Sequence, residues 1–288
     1  MDSGIIEHEI DLALLTPLVR EVQIPPRPSL LADLQAELQK DEPDMRRLAH
    51  TASGDVATSA ALLKAANSPL MGLSRRAETV EQAFLLLGMR TVEALLVEIA
   101  LRQAMQGNGP TLTRFWDVAT KRSRAMAFLT RRELLAPPDV AHTFGLFMDV
   151  GMALLMLRPL VPPYVDTLHL ANHSTEPFTR VEQQRHGTDH TLIGAAMART
   201  WGVSQTVLLA VRLHHDYAVM GQAAAPRVVR DLIALSAVVE VVIQRFEGLN
   251  QHMEWDKAGE LAMSTLGLDE NLLAEWTDDV HALFDREG

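Results

Sequence analysis

Apolar residues in this chain recur at intervals of three and four between proline and glycine breaks, and no segment sustains an apolar/polar alternation. That pattern buries a stripe along a helix and does not bury one face of a strand. Aromatic residues are only 5% of the chain, while Ala, Leu and Met, which favour helix, are abundant. The predicted fold is all-α, a multi-helix bundle. At 288 residues the chain is long enough for one large domain or two modest ones with a sizeable core.

The punctuation places the helices. Residues 1–19 read as a helical lead, followed by an extended connector at Pro25-Pro26-Arg27-Pro28. Ser29 is expected to cap the next helix, through Lys40. Asp44 caps another, with Leu48 and Ala49 inward. Asp55 caps a third, with Val56, Ala60, Leu63 and Ala66 on its buried face and a stop at Asn67-Ser68-Pro69. Thr79-Val80-Glu81-Gln82 has capping-box form, Gly88 breaks the helix it opens, and a long helix runs from Thr91 to Met105. Gly107-Asn108-Gly109-Pro110 is the expected subdomain boundary. Beyond it come Arg114–Glu133, then a buried helix capped by Asp139, containing Asp149 and closed by Pro159, Pro162 and Pro163. A second capping box lies at Thr179-Arg180-Val181-Glu182. Helices follow near His190–Trp201, Thr206–His215 and 227–246, the last strongly apolar.

Several function classes lose support. The net charge of −11 disfavours non-specific nucleic-acid binding. The one dense basic cluster, Lys121, Arg122, Arg124, Arg131 and Arg132, reads as the solvated face of a helix. With no cysteine, disulfides, thiolate metal sites and a cysteine nucleophile are excluded. There is no phosphate-cradling glycine loop and no nucleophile elbow. The acidic start lacks the pattern of a secretory signal. The apolar stretch Phe144–Leu157 is shorter than the about 20 residues that span a bilayer. A cytoplasmic protein with neither nucleic-acid nor membrane partners is expected.

What remains for chemistry is Asp149, His186, Asp189, His190, His214, His215 and Asp216. Asp149 stands between Met148 and Val150, and a buried carboxylate needs hydrogen bonds, a cation or a histidine. It is either a structural acid or a metal or substrate residue. His214 and His215 end an amphipathic helix; adjacent residues point about 100° apart on a helix, so both reach one site only where the helix frays. Their imidazoles suit zinc, iron or manganese, or equally the C-terminal dipole of the helix. His190 opens its own helix.

The order of motifs resembles the HDOD domain, a relative of the HD-GYP and HD phosphohydrolases. The resemblance rests on Ile24-Pro25-Pro26-Arg27-Pro28, Leu62-Leu63-Lys64-Ala65-Ala66-Asn67-Ser68, Thr79-Val80-Glu81-Gln82-Ala83 and Leu86-Leu87-Gly88-Met89-Arg90. It continues with Phe115-Trp116, Gly145-Leu146-Phe147-Met148-Asp149-Val150-Gly151, Tyr164, His186-Gly187-Thr188-Asp189-His190, Gly194, Trp201 and His214-His215. It implies an N-terminal helical subdomain over 20–109, an HD-like helical subdomain over 110–220 and a C-terminal helical extension over 221–288.

The departures matter as much. The resemblance implies a histidine shortly after Trp116, where this chain has Asp117-Val118-Ala119-Thr120-Lys121-Arg122-Ser123. Met148 stands where the His of the His-Asp pair is implied, and Leu235-Ser236-Ala237 lacks the implied late acid. The Gly-Tyr-Pro signature is absent too. Asp149, His190, His214 and His215 remain as a ligand-binding or vestigial site. A thioether does not replace imidazole on a borderline cation. The expectation is therefore no catalytic residue, no required cofactor and at most weak divalent-metal binding at those four residues. The implied role is a non-catalytic signalling or scaffolding module. Its implied partners are signalling proteins, either response regulators or proteins of cyclic-dinucleotide pathways. The alternatives are a metal-dependent phosphohydrolase or cyclic-dinucleotide phosphodiesterase, and a nucleotide sensor without turnover.

Overall fold

A computed structural model describes residues 3–105, 110–249 and 253–287, and among them there is no strand. In chain order, α1 is Ser3–Leu15 and α2 Pro17–Val22. Then come α3 Ser29–Leu38, α4 Met45–Ala52, α5 Val56–Ala66, α6 Val80–Leu87 and α7 Met89–Ala104. The second half holds α8 Pro110–Glu133, α9 Pro138–Phe147, α10 Val150–Met156, α11 Tyr164–Asn172, α12 Phe178–His186, α13 His190–Thr200 and α14 Gln205–Leu213. The last three are α15 Arg227–Phe246, α16 Met253–Leu266 and α17 Glu270–Glu287.

These helices form two compact units. One comprises residues 26–106 with 283–288, the other residues 1–25 with 107–282. The chain is thus partitioned otherwise than by the expected linear segments: the lead and most of the C-terminal helices pack in the same unit as 110–220. The expected boundary at Gly107-Asn108-Gly109 lies outside the described residues.

In the smaller unit, local chemistry sets the helix ends. Asp44 accepts from the backbone N–H groups of Arg46 and Arg47 at 3.0 and 3.1 Å, and Asp55 from Thr58 at 2.8 Å. Ser29 is not the cap: Pro28 holds that position, with its fixed φ, and Ser29 is already helical. The buried face of α5 is also rotated from expectation. It carries Thr58, Leu62 and Ala66, while Val56 is 83% exposed. Asp55 makes this affordable by accepting the Thr58 hydroxyl at 2.5 Å. Thr79 caps α6 through Gln82 N, but Gln82 answers to Glu78 N instead of Thr79 N. Asn67 pins the α5–α6 connection, donating to the carbonyls of Leu63 and Ala77 and accepting from Ala77 N, all at 2.8 Å. Ala66, Ala77 and Ala83 are the buried floor on which Leu63, Leu73, Leu86 and Leu87 pack.

In the larger unit, α8 lies along α9, α10 against α13, α13 against α14, and α15 against both α8 and α16. Two crossings require glycine. A Cβ on Gly145 would meet Ser123 Cα at 2.6 Å, and one on Gly151 would meet His190 O at 2.0 Å. The apolar stretch 138–156 is long and apolar enough to cross a membrane, but two-thirds of it is buried in this packing. It is not one continuous helix. Helical geometry stops at Phe147 and resumes at Val150, leaving Asp149 at the break with φ −108° and ψ 16°. Asp139 does not cap α9; Pro137 precedes it and Pro138 opens it.

Candidate functional site

The break between α9 and α10 lets Asp149 leave the helical register and turn its carboxylate inward. Asp189 caps α13, accepting from Leu192 N at 2.9 Å, and so fixes His190 as its first helical residue. Helix α14 ends at Leu213, where His214 is the cap residue. Freed from helical spacing, His214 and His215 converge, with ring centroids 4.4 Å apart. His190, His214 and His215 each offer a nitrogen within 4.8 Å of the others. Asp149 Oδ1 lies 3.4 Å from His214 Nε2 and 3.6 Å from His190 Nε2.

The other candidates fall elsewhere. His186 pairs with the Thr167 hydroxyl at 2.7 Å. Asp189 is spent on its cap, on Thr191 Oγ1 and on Gln183. Asp216 is exposed.

Partners that sequence reasoning assigned to other duties complete the cluster. Arg122, read as part of a solvated basic face, is 3% exposed. Its Nη2 donates to Asp149 Oδ2 at 2.5 Å, and its Nε donates to Glu240 on α15. The signal was local: Arg122 falls at helical spacing from Ala119, Ala125 and Met126, all buried. Glu182, read as half of a capping box, is fully buried. Pro177 starts α12 earlier than Thr179 would, so Glu182 falls on the inner face beside Phe178 and Val181. There it accepts from Tyr164 Oη and faces His190 Nδ1 at 2.7 Å.

The acceptors around the imidazoles fix their tautomers. His190 Nδ1 faces a carboxylate, and His214 Nδ1 faces the Val211 carbonyl at 2.8 Å, so both Nδ1 atoms carry hydrogen. The two Nε2 atoms then confront each other at 3.1 Å. Two lone pairs at that separation repel, so a proton must lie between them. Burial disfavours charge on His190, but the charge of Glu182 and its hydrogen bond outweigh it and raise its pKa. Burial, aided by His215, lowers that of His214 to about 3. Both shifts favour the shared proton on the His190 side of the pair. Burial alone would raise the pKa of Asp149, but the Arg122 guanidinium and the histidines hold it well below the usual carboxylate range. His215 Nδ1 faces Tyr217 Oη at 3.0 Å and Glu254 Oε2 at 3.2 Å.

Beside the cluster lies a cavity of about 320 Å³, with Arg122, Asp149 and His214 at its polar end and Met152, Phe178 and Trp255 among its apolar walls. Nitrogen and carboxylate donors meeting in a buried pocket are of the kind that holds a divalent cation. Asp149 Oδ1, buried and without an aligned hydrogen bond among the described residues, is an orphan acceptor aimed at that meeting point. An ion held by Asp149, His190, His214 and His215 would supply Lewis acidity there.

Comparison with known proteins agrees with this architecture. The model of the HDOD domain matches residues 24–217. The chain belongs to the HDOD family. The HDOD match takes in Asp149, His190, His214 and His215, and also Arg122 and Glu182; Glu240 and Glu254 lie beyond it. An HDOD domain protein of unknown function from Geobacter sulfurreducens superposes with a TM-score of 0.69 at 19% identity, covering 93% of this chain and 96% of its own. A candidate phosphohydrolase from Shewanella amazonensis SB2B gives 0.70 at 18%, covering 94% and 98%. A candidate signal transduction protein from Marinobacter aquaeolei VT8 gives 0.70 at 21%, covering 94% of this chain and 60% of its own. At these identities the likeness is one of fold. An uncharacterized protein of Treponema pallidum (strain Nichols) is 22% identical over 228 residues; the match takes in 78% of this HDOD chain and 43% of that protein.

Proposed function

We propose that this chain is a non-catalytic HD-like signalling or scaffolding module that acts through protein partners. The observation that carries the reading is the Arg122 guanidinium on Asp149 Oδ2. A hydrolytic site needs carboxylate oxygens turned toward metal ions and an activated water. Here a fixed cation from the chain itself holds one oxygen of Asp149 and engages Glu240 as well. Met148 and the segment Asp117–Ser123 supply no imidazole to compensate. The partners that fit are response regulators or proteins of cyclic-dinucleotide pathways, and the compartment that fits is the cytoplasm.

Small-molecule sensing is a second part of this reading, supported by the cavity beside the cluster. Its apolar walls with a few convergent polar groups suit a compact ligand.

The test is turnover of cyclic dinucleotides and of a generic phosphodiester with Mn²⁺, Fe²⁺ or Zn²⁺ supplied. No turnover is expected. Turnover that Asp149→Ala abolishes would replace this reading with a phosphohydrolase. Affinity purification from the native cell with mass spectrometry identifies the partners, and calorimetry against nucleotides tests sensing without turnover.

A further inference from the structure

A second cavity, of about 280 Å³, lies in the larger unit where the end of α2, the turn after α10 and the link from α12 to α13 meet. It shares no lining residue with the cavity beside Asp149. We propose that it binds a compact organic carboxylate. The anionic head would meet Arg158, His186 and Thr188, and the apolar body would lie against Val22, Leu155 and Leu160.

Arg158 supplies the charge. Its Nε donates to Val22 O at 2.9 Å, and its Nη2 to Val22 O and to Gln23 Oε1 at 3.1 Å. These partners are neutral. Among the described residues no carboxylate pairs with this guanidinium, and its Nη1 makes no hydrogen bond. Arg122, Arg132, Arg199 and Arg212, by contrast, each meet an acid of the chain. A guanidinium fixed by carbonyls with N–H groups to spare is ready to receive a planar acid.

His186 supplies a donor. Thr167 Oγ1 accepts from Arg185 Nε at 2.9 Å and stands 2.7 Å from His186 Nε2. Thr167 is fully buried, and among the described residues its hydroxyl has no other acceptor, so it donates to Nε2. Nδ1 of His186 then carries the ring hydrogen, with no partner among the described residues. Burial, aided by Arg185, lowers the pKa of this imidazole and keeps it neutral.

Thr188 is 4% exposed, and its hydroxyl is buried without an aligned hydrogen bond among the described residues. A hydroxyl left in that state is costly until a polar atom reaches it. The cavity thus offers a cation, an N–H and an O–H, while its one acid, Glu21, is exposed. Such a set suits an anionic oxygen ligand. The walls of Val22, Leu155 and Leu160 suit a short branched chain, and a bare inorganic anion would leave them wet.

The full chain, in a buffer free of carboxylates, is titrated calorimetrically with isovalerate, isoamyl alcohol, isoamylamine and inorganic phosphate. One isovalerate per chain, with a Kd of about 1 mM or tighter, is the expected result. The alcohol, the amine and phosphate should bind about 10-fold more weakly or not at all. Arg158→Gln, checked for helical content by circular dichroism, should weaken isovalerate about 10-fold. Thr188→Val keeps the shape and removes the orphan hydroxyl. It should weaken isovalerate several-fold without lowering the melting temperature of the unliganded chain, a combination that a merely structural threonine would not give. Absence of saturable binding, equal binding of the alcohol or of phosphate, or unchanged affinity in either variant overturns the proposal. If Arg158→Gln fails to fold, Thr188→Val and the comparison of the four probes decide it. The proposal goes beyond the signalling reading, and because neither turnover nor partner capture is the readout, its failure leaves that reading standing.

Discussion

Arg122 Nη2 stands 2.5 Å from Asp149 Oδ2, and the two residues, on α8 and at the α9–α10 break, are both buried. Removing Arg122 takes from buried Asp149 the cation on its Oδ2, and breaking a buried pair in this way costs about 3–5 kcal/mol. Arg122→Met should therefore lower the urea midpoint steeply. The double variant Arg122→Met/Asp149→Asn should lose less than the sum of the two singles. Additive losses in a double-mutant cycle would show that the pair is not coupled.

Gly151 marks the tightest helix crossing beside the cluster. Gly151→Ala puts its Cβ 2.0 Å from His190 O and 2.9 Å from Gly194 N, both backbone atoms that cannot swing aside. A cost of about 3 kcal/mol or more is expected. Gly194→Ala is the control, because its Cβ meets Val211 Cγ1 at 3.1 Å, the end of a side chain. The gain in helix propensity, about 1 kcal/mol, offsets much of that contact. Thermal melts of the two variants should differ clearly, and equal melting temperatures would contradict the packing.

In the smaller unit, Glu37 ties α3 to the start of α4, accepting from Lys40 Nζ at 2.6 Å and Asp44 N at 2.9 Å. The Lys40 hydrogen bond and then that of Asp44 N hold its pKa below 4.5. The Thr58 side chain and backbone do the same for Asp55 below 3.8. Both are depressed acids, so their contribution is fully present above the unfolded values and is lost as pH falls through the folded ones. Amide exchange in α3–α5 should accelerate below about pH 4, relative to pH 6 and corrected for the intrinsic rate. Glu37→Gln should flatten that response; an unchanged profile would rule out the linkage.

Trp201 is fully buried, edge-on to Phe147 at 6.1 Å, and its indole N–H donates to Pro25 O at 2.9 Å. Trp201→Phe keeps an aromatic ring but orphans that carbonyl, for about 1–3 kcal/mol. The expected sign is faster proteolysis within residues 16–25, where Arg158 also grips Val22 O. Proteolysis at the original rate would place the anchor elsewhere.

What the sequence determined by itself was local. Helical spacing, the Asp44, Asp55 and Thr79 caps and the Gly88 break are settled by neighbours a few residues apart. So was the oddity of Asp149, because an acid inside an apolar run declares its own desolvation cost. The convergence of His214 and His215 at a helix end also followed from local geometry. The tertiary structure decided which charges are buried together. Arg122 and Glu240 are 118 residues apart, and His190 and His214 are 24 apart. The spacing of Arg122 from Ala119, Ala125 and Met126 points it inward but does not say which carboxylate it meets there. Glu182 likewise satisfies a capping pattern and a buried histidine equally well on paper. The choice between those roles is made by desolvation and by long-range pairing, which exist only once the helices have packed.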